Sequence, residues 1–142
     1  MRSKPAWFYR QSGVIPYRMT ESGYEILLIT SRRRGRWIIP KGIVEPGFTP
    51  AASAQKEAEE EAGIVGSVSA APVGEYRYGK WGGECTVQVF ALEVQTMWDT
   101  WPEAAARKRQ WMALGDAAHA VREGDLQQLI LTLPEALKAR TQ

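Results

Sequence analysis

The chain has 142 residues, of which 44% are hydrophobic and 24% charged, an ordinary globular balance that suits one domain spanning residues 1–142. Its formal net charge is +2, so overall charge argues only weakly for nucleic acid as a partner. The single cysteine, Cys85, and the single histidine, His119, exclude an internal disulfide and a cysteine-based zinc site. Any bound metal is therefore expected to be a hard ion held by oxygen, such as Mg2+ or Mn2+.

Apolar patterns and turn signals place the secondary structure along the chain. Strands are expected at residues 11–19, 24–31, 37–40, 72–79, 84–95 and 109–114. Residues 41–50 contain two glycines and two prolines and are expected to form a loop. Helices are expected at residues 50–62, 114–121 and 125–140, the last with Pro134 as a candidate break. This order predicts an α+β protein in which helices pack on a mixed sheet.

No apolar run in the sequence approaches the length of a membrane-spanning helix. The first ten residues, MRSKPAWFYR, contain no apolar segment of signal-peptide length. We therefore expect a soluble, cytoplasmic protein with no membrane partner, either a monomer or a homodimer.

The helix at residues 50–62 has clear start and stop signals. Thr49 is a suitable N-cap, and Pro50 fits the first helical position, where a missing N–H costs nothing. Gly63 fits the left-handed position that ends many helices. Five alanines between these ends favour the helix and leave a small-residue surface that can lie close to a sheet.

The last turns of this helix carry an unusual density of negative charge. Glu57, Glu60 and Glu61 are spaced to share one face, whereas Glu59 points elsewhere. Like charges at this spacing repel, and the negative end of the helix dipole disfavours them further. A solvated acidic face is one interpretation. A divalent cation bound by the three glutamates would instead offset these costs.

The segment GIVEPGFTPAASAQKEAEEEAGI, residues 42–64, resembles the Nudix box, the signature of the Nudix hydrolase family. The resemblance implies an α/β/α sandwich in which the box forms a loop, a helix and a loop. It also implies that the Gly42 carbonyl, Glu57, Glu60 and Glu61 bind Mg2+ or Mn2+, with Glu57 and Glu60 as candidate catalytic residues. Two positions depart from the family pattern: Phe48 replaces a glutamate and Lys56 replaces an arginine. Glu45 is a candidate to compensate for both.

Two basic clusters flank this motif in the sequence, one at residues 32–36 and one at residues 107–109. Either could be a solvated loop, but beside a diphosphate site both are candidate phosphate-binding groups. The segments LLITSRRRGRWIIPKG and WDTWPEAAARKRQWMALGDAAHAV resemble the diphosphoinositol polyphosphate and diadenosine polyphosphate phosphohydrolase branch of the family. The substrate-binding residues that this resemblance and the basic clusters suggest are Arg10, Ser31, Arg33, Arg36, Lys41, Arg107 and Arg109.

The resemblance implies metal-dependent hydrolysis of a diphosphate bond by attack of water on phosphorus. The expected substrate is a polyphosphorylated small molecule, either a dinucleoside polyphosphate or a diphosphoinositol polyphosphate. The alternatives are an RNA 5′-pyrophosphohydrolase, which would make RNA 5′ ends the one nucleic-acid partner, a nucleoside triphosphate pyrophosphatase, and a non-catalytic Nudix-like sensor of a phosphate ligand. Trp81 lies in the glycine turn GKWGG. It is expected near the surface, either stacked on a base or packed by its edge.

Overall fold

A mixed sheet of eight strands forms the centre of the structure, a computed structural model that describes residues 1–140. The strands are β1 Arg10–Thr20, β2 Gly23–Thr30, β3 Trp37–Ile38, β4 Lys41–Ile43, β5 Ile64–Val68, β6 Gly74–Lys80, β7 Gly83–Met97 and β8 Arg109–Ala113. Their central order is β3-β2-β1-β7-β5, and β4, β6 and β8 pair with β1, β7 and β2 respectively. Strands β1 and β7 run parallel, and the other pairs are antiparallel.

Helices cover both faces of this sheet. A short 3-10 turn, Ala6–Tyr9, precedes β1. The helices are α1 Pro50–Glu57, which continues as a π-helical turn at Ala58–Ala62, α2 Leu114–Ala120, α3 Gly124–Leu131 and α4 Leu133–Arg140. None of the helices within residues 1–140 is long and apolar enough to cross a membrane.

The side chains of the central strands alternate between two separate cores, as the pleat of a sheet requires. On β1, Val14 packs with the alanines of α1 and its π-helical turn, whereas Ile15 packs with helices α2, α3 and α4. On β2, Leu27 lies in the same core as Val14, and Leu28 lies in the same core as Ile15. The sheet therefore lies between two helical layers, which confirms the predicted α/β/α sandwich.

The sequence prediction missed β5, the 3-10 turn and the short strand β4. Strand β5 contains Gly66 at a register shift, which interrupts the alternation that identifies a strand. Strand β4 is only three residues long and lies inside the segment predicted as a loop, because its pairing with β1 overrides the local glycine and proline signals. The predicted last helix is two helices, and Pro134 lies in the first turn of α4, where its missing N–H costs little.

Gly63 ends the π-helical turn in the left-handed conformation predicted for it, with φ of 66°. A Cβ atom at this position would lie 2.8 Å from the side chain of Trp101 and 2.9 Å from the Arg109 guanidinium. Both the backbone conformation and the crowding therefore require glycine here.

We expect Gly63→Ala to lower the free energy of unfolding by about 1 kcal/mol or more, because alanine is strained at positive φ. Urea denaturation monitored by circular dichroism would measure the loss. Gly115→Ala is the matched control, since Gly115 lies in α2 and a Cβ there would meet no atom within 4 Å. Equal effects of the two substitutions would contradict the role of Gly63.

Candidate active site

A cleft of about 1040 Å³ opens between the end of α1, the basic turn after β2 and the β6–β7 hairpin. Its acidic wall contains Glu57, Glu60 and Glu61, the three glutamates predicted to share a face. Its basic side chains are Arg32, Arg33, Arg34, Arg36, Lys41, Lys56, Lys80 and Arg107. Ser31, Gly42, Gln11, Tyr78 and Trp81 also line it. Glu59 does not, in agreement with its predicted orientation.

The local sequence explains how the helix reaches the cleft. The Thr49 side chain accepts a hydrogen bond from the Ala52 backbone N–H at 3.1 Å, which confirms the predicted N-cap. Three of the alanines, Ala54, Ala58 and Ala62, are fully buried against the sheet, so the helix packs closely on it. The π-helical turn at Ala58–Ala62 carries Glu60 and Glu61, and such turns are frequent at functional sites.

Glu57 lies directly against the backbone of Gly42. A Cβ atom on Gly42 would lie 2.6 Å from both carboxylate oxygens of Glu57, so no larger residue fits at this position without displacing that carboxylate. Burial, and then the nearby charge of Glu60, raise the pKa of the Glu57 carboxyl to about 7. The carboxylates of Glu57 and Glu60 thus lie close together beside the Gly42 backbone. A bound cation would offset the repulsion between them.

Glu61 is the most buried of the three glutamates. One carboxylate oxygen accepts a hydrogen bond from the Lys41 backbone N–H at 3.0 Å, and the other lies 3.3 Å from the guanidinium of Arg107. Burial raises the pKa of the Glu61 carboxyl to about 8, although Arg107 and the Lys41 N–H act in the opposite direction. Glu61 is therefore fixed in orientation by neighbours on two other segments of the chain.

The chemistry of these groups fits a hard divalent cation, because carboxylate and carbonyl oxygens are its preferred ligands. The Gly42 backbone and Glu57 are in contact, and Glu60 and Glu61 follow on the same wall of the cleft. Within residues 1–140, however, no three acidic, histidine or cysteine side chains converge closely enough to hold an ion as they stand. Glu61 is turned towards Lys41 and Arg107, so cation binding would require its carboxylate to use a second lone pair or to rotate.

The structure divides the second basic cluster between two roles. Arg107 reaches the cleft, but its side chain is only 7% exposed and pairs with Glu61 and Glu103. Arg109 does not line the cleft. It donates to the carbonyls of Ala62 at 2.8 Å and Gly63 at 3.4 Å, so it stabilises the negative end of the glutamate-bearing helix.

The first basic cluster folds around Ser31. The Ser31 backbone N–H donates to the Arg36 carbonyl at 2.7 Å, and the Arg36 N–H donates to the Ser31 hydroxyl at 3.0 Å. Ser31 therefore shapes the turn and also lines the cleft. Arg33 and Arg36 are exposed and line the cleft as well. Arg10, predicted with them, is exposed at the start of β1 and does not line it.

Sequence reasoning missed a polar network that also lines the cleft. The Lys41 ammonium donates to the Tyr78 hydroxyl at 2.9 Å, and that hydroxyl donates to the Gln11 side-chain carbonyl at 2.8 Å. Burial lowers the pKa of the Lys41 ammonium and raises that of the Tyr78 hydroxyl. The signal available in the sequence was Gln11, a polar residue that lies close before the apolar pair Val14 and Ile15 in β1.

The two departures from the Nudix box form a contact of their own. The Lys56 ammonium lies 3.7 Å from a Glu45 carboxylate oxygen and 5.2 Å from the centre of the Phe48 ring. Glu45 thus supplies the negative partner that the family pattern places at position 48. Because Lys56 and Glu45 are partly exposed, this ion pair contributes only a small stabilisation, about 0.5 kcal/mol.

Comparisons with known proteins agree with this fold and with the Nudix box. The model of the NUDIX domain family matches residues 9–131. Nudix hydrolase 13, mitochondrial, of Arabidopsis thaliana is 32% identical over 133 residues, which cover 78% of this chain and 66% of that protein. Diphosphoinositol polyphosphate phosphohydrolase 3-alpha of Mus musculus is 30% identical over 115 residues, which cover 80% of this chain and 69% of that protein.

A solved structure of the Ap4A hydrolase of C. elegans has a TM-score of 0.73 at 22% sequence identity, covering 91% of this chain and 98% of that one. This likeness shows the shared fold. The chain belongs to the NUDIX domain family, as the sequence predicted. The Arabidopsis relative is named a Nudix hydrolase, which is the class of protein that the sequence predicted. The matched region spans just under two thirds of the Arabidopsis relative, 66% of its length.

Arg107 and Arg33 should respond differently to removal of their charge. We expect Arg107→Met to destabilise the fold by about 3 kcal/mol, because it leaves the buried carboxylate of Glu61 without its ion partner. Arg33→Met, on an exposed turn, should change stability by less than about 0.5 kcal/mol. Chemical denaturation of both variants measures the difference. A stable Arg107→Met variant would contradict the structural role of Arg107.

Proposed function

We propose that this Nudix domain hydrolyses a diphosphate bond in a polyphosphorylated small molecule, with Mg2+ or Mn2+ as its cofactor. One observation carries the proposal. The glutamate wall and the cluster of exposed arginines line the same cleft, so an anionic chain can contact both. Such a cleft offers oxygen ligands for a cation and guanidinium donors for several phosphates.

The metal would be held by the carbonyl of Gly42 and the carboxylates of Glu57, Glu60 and Glu61. A cation held by these residues would supply charge neutralisation at the phosphate oxygens and at the leaving phosphate. Glu57 and Glu60 are the candidate acceptors of the proton from the attacking water, because both face the cleft. Arg107 and the Lys41 N–H orient Glu61, and in this proposal they would thereby help to position the reacting centre.

The substrate proposed is a dinucleoside polyphosphate or a diphosphoinositol polyphosphate. Arg33, Arg36 and Lys41 are the proposed phosphate-binding side chains, with Ser31 holding the arginine turn in place. Names of the mouse relative and of the C. elegans structure support these two substrate classes. The cytoplasmic location and a monomeric or dimeric state stay predictions.

Activity should depend on Glu61 and not on its neighbour Glu59. We expect Glu61→Gln to lower kcat at least about a hundredfold while the fold persists, since the amide oxygen can still accept the Lys41 hydrogen bond. Glu59→Gln is the matched control and should keep wild-type activity, because Glu59 does not line the cleft. Phosphate release would be measured with Mg2+ or Mn2+, and again with EDTA, which should abolish it.

The substrate panel for these assays contains diadenosine tetra-, penta- and hexaphosphate, inositol pyrophosphate, nucleoside triphosphates and triphosphorylated RNA. Turnover of the dinucleoside polyphosphates or of inositol pyrophosphate supports the proposal. Tight binding of one compound with no turnover of any would overturn it and favour a phosphate-ligand sensor. A preference for RNA or nucleoside triphosphates would replace the proposed substrate class.

Restoring the family residues at the two divergent positions should have little effect. We expect Phe48→Glu combined with Lys56→Arg to change kcat/KM by less than about tenfold, because Glu45 already pairs with Lys56. The double variant and wild type would be compared on the best substrate of the panel. A gain of several orders of magnitude would show that the natural site is impaired.

A further inference from the structure

The tip of the β6–β7 hairpin holds a bulky aromatic residue in an unfavourable backbone conformation. Trp81 has φ of 52° and is the one non-glycine residue with positive φ within residues 1–140. Gly82 follows with φ of 68°, so two successive residues have positive φ, as in a type I′ hairpin turn. Asparagine or aspartate is the favoured first residue of such a turn. A strained residue beside a cleft is a reason to ask what its side chain does.

The hydrogen bonds that Trp81 makes with the N-terminal segment do not need its indole ring. Its backbone carbonyl accepts hydrogen bonds from the Ser3 N–H at 3.0 Å, the Ser3 hydroxyl at 3.0 Å and the Tyr9 hydroxyl at 2.5 Å. These bonds hold the N-terminal segment on the hairpin tip, and any residue could provide the same carbonyl. These bonds therefore give no reason for a tryptophan at this position, and the contacts of its ring have to be considered.

The ring is half-buried and lines the same cleft as the three glutamates. Phe8 and Tyr9 contact it edge-on, with ring centres 5.5 Å and 6.1 Å from that of Trp81. The Lys80 ammonium lies 4.5 Å from the ring centre, and within residues 1–140 Lys80 forms no ion pair. An anion entering the cleft would attract this ammonium away from the ring. Movement of the Lys80 ammonium towards the anion would then pair it with a phosphate and expose the face of the Trp81 ring.

We propose that Trp81 is a stacking platform for the nucleobase of a nucleotide substrate, with Lys80 binding a phosphate of the same molecule. This inference rests on the proposed function and refines it, because it selects nucleotide polyphosphates over inositol pyrophosphates. A base gains stacking energy on an aromatic side chain whichever base it is. An inositol ring has no aromatic face and gains none.

The test compares two ligands that differ by the nucleoside alone, ATP and inorganic tripolyphosphate, by isothermal titration calorimetry in EDTA, where no turnover is needed. Wild-type protein should bind ATP roughly tenfold more tightly than tripolyphosphate. Trp81→Asn should bring this ratio close to one and leave tripolyphosphate affinity unchanged, because asparagine suits the turn and keeps the carbonyl bonds. Trp81→Phe should keep most of the ratio.

Trp98→Asn is the matched control, since Trp98 is also partly exposed but does not line the cleft, and it should keep the wild-type ratio. Trp81→Leu guards against misfolding of the asparagine variant, because it keeps an apolar contact for Phe8 without an aromatic face. An unchanged ratio in a folded Trp81→Asn or Trp81→Leu variant overturns the platform. Equal affinity of the wild-type protein for ATP and tripolyphosphate also overturns the platform, even if the protein hydrolyses a substrate of the panel. A ratio near ten without hydrolysis of any substrate supports the platform and refutes the proposed reaction instead.

Discussion

The site depends on holding three carboxylates together at the end of a helix that repels them. Coulomb repulsion, burial and the helix dipole all oppose this arrangement. The structure counters the dipole with Arg109, which donates to the last carbonyls, and counters the charge of Glu61 with Arg107. Gly42 allows the backbone to approach Glu57. These three contacts come from two other segments of the chain, so the glutamate wall is a tertiary structure and not a property of the helix alone.

This dependence explains which parts of the site could be predicted. The helix ends and the shared face of Glu57, Glu60 and Glu61 follow from local spacing and from cap residues, and the structure has both. The exposed arginine turn was found because it is a dense local signal. The charge of Arg109 predicts substrate binding, but its guanidinium donates hydrogen bonds to backbone carbonyls instead. A sequence shows the charge of a side chain but not the unpaired carbonyl it will meet.

The fold shows the same difference between features set by local sequence and features set by tertiary contacts. The two-sided alternation of the central strands makes the sandwich predictable, whereas β4 and β5 depend on pairing with strands distant in sequence. The polar network of Lys41, Tyr78 and Gln11 escaped prediction for the same reason. Its members belong to three strands, and only the assembled sheet brings them together.

The parallel pairing of β1 with β7 has a kinetic consequence. Gln11 and Tyr78 are 67 residues apart in the sequence, and the cleft wall they form exists only once that distant pairing is made. Closing so long a loop is entropically unfavourable and delays the pairing during folding. The glutamate wall also needs Arg107 and Arg109, which follow β7 in the chain. During synthesis, neither side of the cleft is therefore complete until both β7 and this arginine segment have been made.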